Sequence, residues 1–131
     1  SYINDDTSSP EGYTDPWKPE YNSDPTTSIT VKWDEGASNE EKLERIITQK
    51  WIAMFPNGTE AWSEFRRTGY PLIFPVRSNY PTSGVDTNKQ IRRMVFPQSE
   101  YSNNGAAVQE AVKLLGGPDN GGTKLWWDKK N

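Results

Sequence analysis

Residues 38–71 read SNEEKLERIITQKWIAMFPNGTEAWSEFRRTGYP, and this stretch decides the fold. Ser38 with Glu41 three residues on is a capping box, and Glu40 and Glu41 suit the positive end of a helix. Leu43, Ile46, Ile47, Trp51, Met54 and Phe55 then fall on one helical stripe, which predicts a helix over 39–55. Pro56-Asn57-Gly58 stops it. Thr59 is the expected cap of a second, shorter helix over 59–68, with Trp62 and Phe65 on one face and Gly69 just past its end. So short a connection makes the two a helical hairpin or a sharp bend.

Towards the C-terminus the helical period vanishes. Tyr70 to Pro97 contains Pro71, Pro75, Pro81 and Pro97 and reads as an irregular or extended excursion. Loops of that length are uncommon inside a compact domain and become reasonable when they run over another body of protein. A third helix is predicted over 105–115, behind Ser102-Asn103-Asn104. Val108, Ala111, Val112 and Leu115 line one face, and Gly116-Gly117-Pro118 is the stop. Leu125-Trp126-Trp127-Asp128 then places two large aromatics together, and both are expected to plug a groove.

Towards the N-terminus lies a different kind of chain. Residues 1–40 carry nine acids and two bases, whereas 41–131 carry nine acids and thirteen bases. Pro10, Pro16, Pro19 and Pro25 break any helix there, yet Tyr13, Trp17 and Tyr21 recur every four residues. A disordered linker is poor in aromatics, so this arm is expected to be ordered loop held against something else. Ile29-Thr30-Val31-Lys32-Trp33 alternates apolar and polar and predicts one short strand.

The arithmetic of the whole agrees. Of the 131 residues only 32% are hydrophobic, against roughly 45–50% apolar in an ordinary domain. The mean hydropathy is -0.93. The fold class expected is therefore mainly α with long irregular or extended excursions. It divides into an acidic, aromatic-rich arm (1–38) and a helical segment (39–131) that is part of a larger fold rather than a self-sufficient domain. The start, Ser1 to Asp6, has neither a basic nor an apolar leader region and reads as cut from something longer. No run approaches the roughly 18 apolar residues of a membrane helix. With no Cys and no His there is no thiolate nucleophile, no disulfide and no imidazole base or zinc ligand. A net charge of -3 makes nucleic acid a poor partner.

Few residues invite chemistry. Glu60 and Glu64, four apart on the second helix, have roughly the spacing a retaining glycosidase needs, about 5–5.5 Å, but two acids near a helix start are expected on electrostatic grounds alone. Asp5-Asp6, Asp15 and Asp119-Asn120 offer oxygens to a cation without the spaced ladder of a calcium loop, and read as turn formers. Arg66-Arg67 and Arg92-Arg93 read as structural cations that bridge carboxylates and helix-end carbonyls. No cofactor or metal is called for. The aromatics are the most suggestive feature. Sugars lay their C–H faces on rings, and Tyr13, Trp17 and Tyr21 in a polar loop are the candidate ligand-binding residues. Trp51 and Trp62 belong to helical stripes.

The run Glu60-Ala61-Trp62, Glu64, Arg66-Arg67-Thr68-Gly69-Tyr70-Pro71 closely resembles the EAW-x-E-x-RRTGYP block of the SusD/RagB family, the SusD-like lipoproteins of Bacteroidetes. A second block is met by Arg92-Arg93-Met94-Val95-Phe96-Pro97, with Phe96 for the more usual Tyr. A third is met by Gly116, Gly117, Trp126, Trp127 and Asp128. The resemblance covers residues 39–128 and places the chain in the C-terminal part of such a protein, whose tetratricopeptide-like helix pairs lie elsewhere. It implies a non-enzymatic lipoprotein, exposed on the outer membrane and anchored through an N-terminal part outside this chain. Its expected partners are a glycan ligand, the N-terminal remainder and a SusC-like TonB-dependent transporter. A peptide is the alternative cargo, and a glycoside hydrolase fragment is a remoter alternative. Trp62, Arg66, Arg67, Gly69, Tyr70, Pro71, Arg92, Arg93, Trp126 and Trp127 are then motif residues with structural duties.

Overall fold

The computed structural model describes residues 1–80 and 83–130; Pro81, one of the prolines of the excursion, lies outside the described residues. The chain is mainly helical. α1 spans Asn39–Ala53, α2 Gly58–Thr68 and α3 Gln98–Leu114, with short 3-10 turns at Tyr2–Asn4 and Pro19–Tyr21. Two compact units form, one of residues 1–74 with Lys130, the other of residues 75–129. The arm, residues 1–38, shares the first unit with α1 and α2.

In the first unit the α1 cap is reciprocal. The Ser38 hydroxyl accepts from the Glu41 amide at 3.2 Å, and the Glu41 carboxylate accepts from the Ser38 amide at 2.9 Å. These Ser38 bonds hold the Glu41 carboxyl below its usual value. The predicted stripe is less buried than its pattern suggests: Ile47 is buried, but Ile46 is more than half exposed and Phe55 is 88% exposed. α2 is capped not by Thr59 but by Asn57, whose side chain accepts from the Glu60 amide. At its other end Gly69 takes φ +79° and returns its N–H to the Phe65 carbonyl at 2.8 Å. Gly69→Val is expected to cost about 1–2 kcal/mol, since a Cβ there meets the following carbonyl. Thermal melting checks this, and a wild-type melt would show that the backbone relaxes into another helix end.

The arm is pinned by polar bonds. Tyr2 donates to Gln49 at 2.7 Å, Arg45 to the Thr30 carbonyl at 2.9 Å, and Thr26 to the Leu72 carbonyl at 2.5 Å. These bonds also explain why residues 29–33 form no strand. The Thr30 carbonyl is taken by Arg45 and the Lys32 amide by the Asp5 carbonyl, and among the described residues no second segment pairs with 29–33 as a ladder. Among the described residues the sole β-type pairing is the isolated bridge between Tyr13 and Ser23.

In the second unit α3 begins at Gln98, seven residues before the expected start. Pro97 occupies its N-cap, and the Asn104 that looked like a cap is a kink inside it (φ -142°, ψ 35°). Val108 is its buried residue. The Gly121-Gly122 turn lies flush against the 83–85 segment. Gly121 donates to the Ser83 carbonyl at 2.9 Å, and a Cβ on Gly122 would stand 1.8 Å from the Gly84 carbonyl oxygen, so only glycine fits.

Among the described residues the buried apolar ones besides Pro71 and Gly69 are Ile47, Ala61, Phe65 and Val108, whereas Ser23, Glu44, Arg66, Thr68, Arg92, Arg93 and Asp128 are buried polar ones. An interior so thin in hydrocarbon is what a portion of a larger fold presents.

Candidate functional site

The aromatic trio of the arm sits on a closed loop. Tyr13 and Ser23 exchange both backbone hydrogen bonds, at 2.8 and 2.9 Å. Inside that clasp one Asp15 oxygen accepts from the amides of Trp17 (2.9 Å) and Lys18 (2.8 Å), and the Asn22 side chain accepts from the Asp15 amide. The two amides hold the Asp15 carboxyl below its ordinary range, so the turn stays fixed at neutral pH. Pro19–Tyr21 closes the loop as a 3-10 turn.

This backbone decides what each ring does. A fully extended arm would set rings four residues apart on one side, but the Asp15 turn and the 3-10 turn intervene. Tyr13 leans on Phe74, centroids 6.3 Å apart, and its hydroxyl donates to Asp15. Tyr21 lies half-buried beneath the Lys18 ammonium, 5.0 Å from the ring centre. Trp17 is left 86% exposed at the tip. The loop therefore presents one indole from a rigid support, with two tyrosines as part of that support.

The other candidates have structural partners. Lys50 of α1 reaches Glu60 at 3.1 Å and Glu64 at 3.5 Å, while Arg67 grips Glu64 at 2.8 and 3.0 Å. The Arg67 hydrogen bonds hold the Glu64 carboxyl below its usual range. Cations thus engage both carboxylates, and the pair ties α1 to α2. Asp5 caps its own turn, accepting from the Thr7 and Ser8 amides, and its carboxyl lies far below the ordinary value because of Ser8 and Thr7. Asp6 pairs with Lys32. No metal-holding cluster of carboxylates occurs among the described residues.

The arginine pairs also have partners. The Arg66 guanidinium lies 3.6 Å over the Trp62 ring, one helical turn away. Tyr70 donates to Glu40, which Lys130 also holds at 2.9 Å, and Pro71 is buried. Arg92 forms a two-pronged bond with Asp128, both side chains buried. Arg93 pairs with Asp119, which also accepts from the Tyr101 hydroxyl at 2.7 Å and the Phe96 amide at 3.2 Å. Asp119 was expected to form a turn and is a network centre instead; its partner lies 26 residues away, beyond any local pattern. Trp127 is half-buried and Trp126 is 83% exposed.

The Arg92-Arg93 segment thus meets the Trp-Trp-Asp tail and the Gly-Gly-Pro-Asp turn, so the second and third motif blocks join in one buried network. A family model described as SusD-like, Susd and RagB outer membrane lipoprotein, matches residues 1–128. The chain belongs to the SusD-like family. A chitin-binding SusD homologue from Flavobacterium johnsoniae is 54% identical with a TM-score of 0.90, over 99% of this chain and 27% of that one. A SusD homologue from Bacteroides uniformis is 50% identical, TM-score 0.88, over 98% and 27%. One from Bacteroides thetaiotaomicron is 45% identical, TM-score 0.85, over 99% and 29%. The chain thus spans little more than a quarter of the length of these SusD homologues. No curated protein matches it.

Proposed function

We propose that this chain is the C-terminal portion of a surface lipoprotein that captures oligosaccharide and passes it to a SusC-like TonB-dependent transporter. The observation that carries the reading is the 54% identity, along almost the whole chain, to a SusD homologue that binds chitin. Its ligand class is accordingly an oligosaccharide of N-acetylglucosamine. The protein binds and does not cleave: the one carboxylate pair with suitable spacing is neutralised by Lys50 and Arg67.

Trp17 is the contact proposed for the arm. An exposed indole on a loop already fixed by Asp15 and Asn22 offers a flat apolar face with little entropy left to lose. In the full-length protein, Trp17→Ala is expected to weaken binding of chitohexaose or of the transporter while leaving the melting temperature within a degree or so, because exposed side chains carry little stability. Calorimetric titration with chitohexaose and with a peptide library tests the reading. Binding of peptides and not of glycans would replace it with the peptide-carrying alternative. A large drop in melting temperature with unaltered affinity would assign Trp17 to packing.

A further inference from the structure

We infer that the cleft at the C-terminal end of α3 is a further sugar subsite, which takes one pyranose ring of an oligosaccharide on the face of Trp126. The inference rests on the glycan-binding reading and adds a contact to it. The cleft has a volume of about 650 Å³, and its walls include Leu114, Gly117, Thr123, Trp126 and Lys129. It lies wholly within the second unit.

Its chemistry is that of a sugar site. Trp126 and Leu114 are 83% and 89% exposed and supply an apolar floor that water covers poorly. The Leu114 carbonyl, at the end of α3, has no helical donor: the residue four on is Pro118, which lacks an N–H, and no other backbone amide among the described residues reaches it. Solvent or a ligand hydroxyl can donate to that oxygen. Lys129 brings an ammonium donor to the rim. Asp128 is the one carboxylate of the lining, and Arg92 engages both of its oxygens.

A pyranose matches this set, with an apolar C–H face for the indole and a rim of hydroxyls that both donate and accept.

The platform is also fixed. The Asp128 amide donates to the Leu125 carbonyl at 2.9 Å, closing a turn over 125–128, and the buried Asp128–Arg92 pair anchors that turn from behind. Trp126 therefore projects from a rigid mount, and little ordering cost opposes binding.

The test uses the full-length protein and titration calorimetry with chitohexaose. Trp126→Ala is expected to weaken binding about tenfold with an unchanged melt, and Lys129→Ala about threefold. Wild-type affinity in Trp126→Ala, with wild type itself binding chitohexaose, overturns the subsite and leaves the glycan reading standing. Failure of wild type to bind any glycan removes that reading and the subsite with it. If Trp126→Ala melts several degrees lower, Lys129→Ala decides, because an exposed lysine does not hold the fold; unaltered affinity in that variant overturns the subsite and assigns Trp126 to contact with another part of the protein.

Discussion

Asp128→Asn is expected to destabilise the folded protein by about 3–5 kcal/mol, the range for stranding one charge of a buried pair. Arg92 is 1% exposed at its side chain and Asp128 is 0% exposed. The Arg92 Nε–H donates to Asp128 Oδ2 at 2.7 Å, a second guanidinium nitrogen donates to Oδ1, and Nη1 donates to the Lys89 carbonyl at 3.0 Å. Asparagine keeps the volume and one oxygen but removes the charge, so Arg92 is left cationic where water cannot solvate it. The midpoint of urea unfolding of the full-length protein reads the loss directly. The companion variant separates two meanings of the pair. Replacing both residues together, Arg92→Met with Asp128→Leu, should recover most of the loss, since two charges no longer need to be desolvated. A double variant as unstable as the single one would show instead that the guanidinium's bond to the Lys89 carbonyl holds the excursion in place. A wild-type midpoint in Asp128→Asn would show that the pair contributes no net stability.

That pair also marks where the sequence stops being readable. The capping box at Ser38 and the left-handed stop at Gly69 are local: each is complete within a few residues, so spacing alone reveals it. The start of α3 is local too, but two signals compete. Ser102-Asn103-Asn104 looks like a cap, while Pro97 opens the helix seven residues earlier and the asparagines become a kink. Alternation at Ile29–Trp33 is a true pattern without consequence, because a strand needs a partner and the arm's backbone bonds go to Asp5 and Arg45 instead. The pairings of Arg92 with Asp128 and Arg93 with Asp119 span 36 and 26 residues, and nothing near either arginine announces its carboxylate. The spacing of Tyr13, Trp17 and Tyr21 singles out the arm, but which ring faces water is set by the Asp15 turn. Asp15-Pro16 hints at that turn without fixing the direction of the side chains.

Asp119→Asn should lower stability by about 2–4 kcal/mol at neutral pH, and its pH dependence identifies the cause. Asp119 is a hub: it accepts from Arg93, from the Tyr101 hydroxyl at 2.7 Å and from the Phe96 amide at 3.2 Å, and so joins the excursion, α3 and the Gly-Pro turn. Burial pushes its carboxyl upward, but Arg93, Tyr101 and the Phe96 amide together outweigh burial, and the net shift is downward. The unfolded chain, with an ordinary Asp pKa of about 3.9, then binds the proton more readily than the native state does. The contribution of Asp119 is therefore complete above pH 5 or so and disappears as pH falls through the lower native value. The stability gap between wild type and Asp119→Asn should be widest near pH 7 and narrow steadily below about pH 4. Other depressed carboxyls, Asp15, Glu41 and Glu64 among them, also lose stability in acid, but they do so in both proteins and cancel from the difference. Urea titrations at several pH values give that difference. A gap that stays constant from pH 7 into the acid range would mean that the oxygens of Asp119 act as neutral acceptors and that its charge, with Arg93 opposite, adds nothing to the stability of the fold.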